Sequence, residues 1–214
     1  LALFGRAMPD LQVRAALAQA MADSPPDASL MATMHLPAGE FEARDLGATP
    51  CIVIRTGPPA AGPSEPLRLA LFEHERFAPE FKHVGEPAKT WFMRQAAQMG
   101  MSDAAFMSRD GRISEGSIWN LVFWDGAAVV WPQAPRLQGT MMGSVVRQLT
   151  RMGVAQREQV ITPQNLSALR GAAVMNSWTP GVAVTQIGSQ LMPPAPQLLA
   201  LLHQAGEAEP WLAP

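Results

Sequence analysis

The chain has 214 residues, enough for one large domain or two small ones with a sizeable core. A net charge of −2 with 16% charged residues gives no electrostatic footprint for nucleic acid or an anionic membrane, and no apolar run approaches the ~18 residues of a membrane span. The single Cys51 excludes an internal disulfide and any cysteine-based zinc site, so a reducing cytoplasm is the expected setting.

The opening stretch, LALFGRAMPD, lacks the cationic head and small-residue cleavage site of a secretory leader. Residues 10–21 read as a short amphipathic helix with Leu11, Leu17 and Met21 near one face and Asp10 as its N-cap after Pro9. Residues 30–36 and 51–56 read as strands, the second a β-branched run in which Cys51 is expected to be a buried core thiol. The stretch GPPAAGPSEP, residues 57–66, has four prolines and two glycines and is expected to be an interdomain linker. It divides an N-terminal region, 1–56, from a larger one, 67–214.

A strand over 67–72 opens the larger region, and a helix over 88–99 stops at Gly100. Two Asp-Gly pairs, Asp110-Gly111 and Asp125-Gly126, signal tight hairpins and three or four antiparallel strands between residues 104 and 131. Helices are expected over 139–152, 162–170 and 194–204, with strands over 172–175 and 182–187. With 48% hydrophobic residues, 13 Met and 6 Trp, polar side chains are scarce for covering a monomer, which points to a subunit interface.

Three features between residues 81 and 142 suit a phosphorylated aldehyde cofactor such as pyridoxal 5'-phosphate. The first is a primary amine able to form a Schiff base. The chain has only two lysines, Lys82 and Lys89; Lys89 falls inside the expected helix, whereas Lys82 ends an extended stretch and is preferred. The second is Glu115, after the Asp110-Gly111 turn, as an anion for a pyridinium nitrogen; alternatively it is a solvated turn residue. The third is Gly139 opening a helix, whose following N–H groups at Thr140 and Met141 suit a phosphate. The four histidines, His35, His74, His83 and His203, show no metal-ligand spacing, so no metal is expected; His74 reads as a surface residue and His83 as a loop residue. Asn176-Ser177 ends an apolar strand and is either a hydrogen-bonding pair for a ligand or an ordinary turn.

In their order and spacing from residue 81 to 187, these pieces resemble the class IV aminotransferase family, the fold-type IV pyridoxal-phosphate enzymes. That family includes branched-chain and D-amino acid aminotransferases and 4-amino-4-deoxychorismate lyases. The resemblance rests on Lys82 leading through Ala96 to Gly100, on Asp110-Gly111-Arg112-Ile113-Ser114-Glu115-Gly116-Ser117 with Asn120, and on Leu137-Gln138-Gly139-Thr140-Met141-Met142. It implies a two-domain α+β fold with the cofactor in the cleft, a homodimer, and a small-molecule amino acid and keto acid as substrates. It makes Lys82 the catalytic Schiff-base residue. Glu115, Ser117, Asn120, Leu137, Gly139, Thr140, Met141, Asn176 and Ser177 become the cofactor contacts.

Three departures stand out: Met142 where the family has arginine, Met141 where it has threonine, and an Asn176-Ser177 pair closer to the lyase branch. The chain begins at Leu1, and the family's early strand and its phosphate-binding arginine are expected upstream of it. The expected activity is therefore transamination through Lys82. The alternatives are elimination from 4-amino-4-deoxychorismate to 4-aminobenzoate and pyruvate, a non-catalytic cofactor-binding homologue, or an α+β protein with no cofactor.

Overall fold

The computed structural model describes residues 7–36, 49–59, 62–210 and 212–214, and the chain forms two compact units. The first comprises Leu1–Ala61 with Trp211–Pro214, the second Gly62–Pro210. Residues 1–6 and 37–48 of the expected N-terminal region, and 60–61 of the expected linker, lie outside the described residues. Among the described residues, no helix is long and apolar enough to cross a membrane.

In the first unit, helix α1 (Asp10–Ala22) lies against a two-stranded antiparallel ladder of β1 (Ser29–His35) and β2 (Cys51–Gly57). Pro9, not Asp10, is the N-cap, and no side chain caps the helix; Asp10 sits in the first turn, where its charge favours the positive end of the helix dipole. The inward stripe is Val13, Ala16, Leu17 and Ala20, spaced i, i+3, i+4, i+7. Leu11 and Met21, expected on that face, are 81% and 51% exposed. Cys51 is exposed, contrary to the expected core thiol. Alternation along β2 turns Ile52 and Ile54 toward the hollow lined by Ala16 and Ala20, which puts Cys51 and Val53 on the opposite face.

The second unit is organised by a nine-stranded sheet. Its strands are β3 (Leu67–Glu73), β4 (Asp103–Met107), β5 (Ile113–Gly116), β6 (Asn120–Trp124), β7 (Val129–Pro132), β8 (Gln156–Gln159), β9 (Gly171–Asn176), β10 (Thr179–Ile187) and β11 (Gln190–Leu191). Six of them, β3-β4-β5-β6-β9-β10, close into a ring because β9 pairs with both β6 and β10. The pairs β3–β4 and β3–β10 are parallel; the others in the ring are antiparallel. Closure removes open edges within the ring, leaving β8 and β11 as the end strands of the sheet.

Period-two alternation sorts the side chains of each strand. Leu121 and Phe123 of β6 and Ala172 and Val174 of β9 join Leu69, Ile113, Val184 and Ile187 in one buried cluster. Val122, Trp124, Ala173 and Met175 project to the other face. There they meet Met142, Val145 and Leu149 of α3 (Thr140–Arg151) and Leu198, Leu202 and Ala205 of α4 (Pro196–Glu207). Helix α2 (Pro87–Gln98) covers a third patch, with Ala96 against Ala70, Ala104 and Phe106.

The two Asp-Gly turns form as expected: Gly111 and Gly126 have φ of 82° and 106°, the left-handed region that glycine enters without a Cβ penalty. The helix expected over 162–170 is instead one 3-10 turn, Leu166–Ala168. The Asn165 side chain accepts from the Thr162 N–H at 2.9 Å and donates to the Val160 carbonyl at 3.0 Å, which stabilises a turn rather than a helix start. His74 is half-buried between Phe92 and Phe106, with ring centroids 5.0 and 4.8 Å away, and not the surface residue expected; burial holds its pKa below 6.5.

Candidate active site

The site forms where β5 and β6 meet, beside the segment after β7 and the irregular stretch between β3 and α2. Glu115 lies on β5 directly opposite Asn120, the first residue of β6. Both are buried, so Glu115 is not a solvated turn residue. Their side chains grip the same backbone unit from two sides. Leu137 donates its N–H to Glu115 Oε2 at 3.2 Å, and the Leu137 carbonyl accepts from Asn120 Nδ2 at 2.7 Å.

That double grip delivers the chain to Gly139, the N-cap of α3. Among the described residues, no acceptor takes the N–H groups of Thr140, Met141 or Met142. These amides begin a 12-residue helix and point along its positive end, an arrangement suited to an anion. Thr140 is exposed and Met141 half-buried, while Met142 is 2% exposed and packs into the core beneath α3. An arginine in that apolar cluster would need a partner for its charge.

Arg76 holds the other wall. Its Nη1 donates to Glu115 Oε1 at 3.0 Å and to the Pro79 carbonyl at 3.3 Å, its Nη2 to the Phe81 carbonyl at 3.1 Å, and its Nε pairs with Glu86. Glu86 in turn accepts from Lys89 Nζ at 3.3 Å, with His83 Nε2 3.9 Å away. Lys82 follows Phe81 directly and is exposed as a whole residue. Its amine nevertheless has a lowered pKa. Lost hydration of the ammonium is the largest cause, Lys89 and Arg76 add to it, and Glu86 and Glu115 oppose it.

Burial raises the pKa of Glu115, and Arg76 and the Leu137 amide counter it. An ionised carboxylate has about four acceptor positions, so these two donors leave capacity for another N–H. The structure thus brings Glu115, Asn120, Leu137 and Gly139 into one constellation. It adds the free amides of Thr140 and Met141, and Arg76 bonds both Glu115 and the Phe81 carbonyl, directly before Lys82.

Ser117 goes elsewhere: its hydroxyl donates to Asp103 Oδ1 at 2.6 Å, in a buried network with Trp119 Nε1 on Asp103 Oδ2. Asn176 lies one residue beyond Met175, the partner of Asn120 on β9, and accepts from the Trp178 N–H at 3.0 Å; Ser177 is exposed. Arg76 and Glu86 went unread in the sequence. In FEHERF an arginine among acids looks like a solvated face, and no local signal separates a buried arginine from an exposed one.

Residues 1–187 match the family model described as amino-transferase class IV, and the chain belongs to that family. No curated protein matches the chain. Among solved structures it resembles a hypothetical aminotransferase from Mycobacterium tuberculosis in its PLP-bound form, with TM-score 0.74 and 18% identity over 94% of this chain and 76% of that one. It also resembles a candidate 4-amino-4-deoxychorismate lyase from Legionella pneumophila subsp. pneumophila str. Philadelphia 1, with TM-score 0.72 and 16% identity over 84% and 69%. A third is the branched-chain amino acid aminotransferase from Thermobaculum terrenum in PLP-form, with TM-score 0.71 and 15% identity over 84% and 63%. At these identities the likeness is one of fold.

Proposed function

We propose that this chain is a pyridoxal 5'-phosphate-dependent aminotransferase acting on an amino acid, with Lys82 as the residue that binds the cofactor's aldehyde. The observation that carries this reading is the buried Glu115 beside free helix-start amides, with Arg76 tying that carboxylate to the peptide that leads into Lys82. When bound, the cofactor supplies an electron sink for negative charge at the substrate Cα. Its phosphate suits the N–H groups of Thr140 and Met141, and its ring nitrogen suits the free acceptor capacity of Glu115.

The remaining chemistry belongs to the chain's own side chains. A lowered pKa leaves more of the Lys82 amine neutral near pH 7 than an ordinary lysine would have, so it can take and return the Cα proton. Glu115, kept in place by Arg76 and the Leu137 amide, would accept from a protonated ring nitrogen of the bound cofactor. Asn120 and Leu137 fix the start of α3 against the strands. The exposed Phe77, Val84, Trp91 and Trp178 support a homodimer as part of the same reading.

The Asn176-Ser177 strand end favours a second reading, elimination from 4-amino-4-deoxychorismate. One experiment separates the two. The purified protein, loaded with cofactor, is given amino-acid donors with and without a keto-acid acceptor, and separately 4-amino-4-deoxychorismate. Acceptor-dependent amino transfer supports the aminotransferase; pyruvate and 4-aminobenzoate formed without an acceptor would reject it in favour of the lyase. Turnover in neither arm would sink both.

A further inference from the structure

The Arg76 side chain is only 10% exposed, and an arginine is tolerated at such depth when its charge and N–H groups are met. Here every guanidinium nitrogen has a partner: Nε has Glu86, Nη1 has the Pro79 carbonyl and Glu115, and Nη2 has the Phe81 carbonyl. Two of these partners bear on the chemistry together. The Phe81 carbonyl belongs to the peptide bond whose nitrogen is that of Lys82, and Glu115 is the buried carboxylate across the site.

A guanidinium is flat, and its N–H groups leave in fixed directions. One edge therefore sets where Lys82 departs from the backbone, while another sets where the Glu115 carboxylate lies. Without this group, the irregular stretch between β3 and α2 and strand β5 would have to be brought into register by separate contacts. Lysine cannot replace it, because one ammonium on a flexible stem has no fixed fork.

We propose that Arg76 is a positioning residue: a single guanidinium spaces the peptide that carries Lys82 from the carboxylate of Glu115. The proposal rests on, and deepens, the reading that Lys82 and Glu115 serve one cofactor. Three groups bear on the charge of Glu115: Arg76 and the Leu137 amide favour its anion and Glu86 disfavours it, while Glu115 in turn raises the pKa of Lys82. Removing Arg76 leaves a buried carboxylate with one N–H donor and a like-charged neighbour, and such a group takes a proton.

The test uses Arg76→Met and Arg76→Lys and two readouts besides turnover. In cofactor-free protein, infrared difference spectroscopy follows protonation of Glu115, its band assigned by its loss in Glu115→Gln. Absorbance titration then gives the affinity for pyridoxal 5'-phosphate. Arg76→Met is expected to raise the Glu115 midpoint by about one to three pH units. It should also weaken cofactor binding by roughly 10- to 100-fold, taking the loss of a partner that orients a metal ligand as the scale.

Arg76→Lys keeps the charge and loses the fork, so it is expected to leave the midpoint near that of the parent while still weakening binding. Parental affinity in Arg76→Lys overturns the proposal, as does an unmoved midpoint in Arg76→Met. Should Arg76→Met fail to fold, Arg76→Lys decides alone. Should the parent not attach the cofactor to Lys82, the proposed function fails, and the infrared arm still reports on Arg76.

Discussion

Gly139 is predicted to be irreplaceable for a reason unrelated to backbone freedom. Its φ of −67° and ψ of 151° are open to any residue. A methyl group there, however, would lie 2.3 Å from Asn120 Oδ1 and 3.4 Å from its Cγ. Asn120 is 6% exposed, and its Nδ2 holds the Leu137 carbonyl at 2.7 Å, so the side chain cannot turn away without breaking that bond.

Leaving a buried amide and carbonyl unpaired costs about 1–3 kcal/mol. Forcing the side chain off its rotamer adds about 0.5–1.5 kcal/mol. Gly139→Ala is therefore expected to destabilise the cofactor-free protein by roughly 2–4 kcal/mol, read as a lower urea midpoint at unchanged slope. Because the amides of Thr140 and Met141 follow directly, cofactor affinity should fall as well. A double-mutant cycle isolates the cause: in an Asn120→Ala background the same substitution should cost less than about 0.5 kcal/mol. A full cost in that background, or none in the parent, would refute the reasoning.

Three further outcomes follow from the same geometry. Lys82→Met should flatten the rise of stability with pH: the unfolded chain keeps the Lys82 proton up to 10.5 while the folded one releases it earlier, so the folded state gains across that window. Urea midpoints from pH 7 upward check this, and an equal slope in the variant would contradict it. His74→Phe should abolish the loss of stability as pH falls below 6.5, which arises because buried His74 resists the proton that the unfolded chain accepts; paired melts at pH 7.5 and 5.5 test the difference. Leu202→Ala, fully buried between α4 and the sheet, should cost about 2–5 kcal/mol in chemical denaturation.

The sequence disclosed elements wherever the signal was local. The Asp-Gly turns, the apolar strand over 172–175 and the glycine after α2 each act over a few residues, and each formed as read. What was missed depends on neighbours far along the chain. The polar QREQ of β8 becomes a strand because β7 offers it a parallel edge. The apolar CIVI run promised a buried Cys51, yet among the described residues the ladder it joins has one covered face. At the site, Lys82, Glu115 and Gly139 were legible as residue types in order. Arg76 was not, because its meaning lies in contacts with Glu115, 39 residues away.

Reduction of the cofactor-loaded protein with borohydride, followed by peptide mass spectrometry, tests the central claim most directly. The chain has only two lysines, so the answer has few addresses. The expected result is a phosphopyridoxyl mass on the peptide containing Lys82, retained in Lys89→Arg and abolished in Lys82→Ala. Label on Lys89, or a Lys82→Ala protein that still fixes the cofactor covalently, would contradict the account.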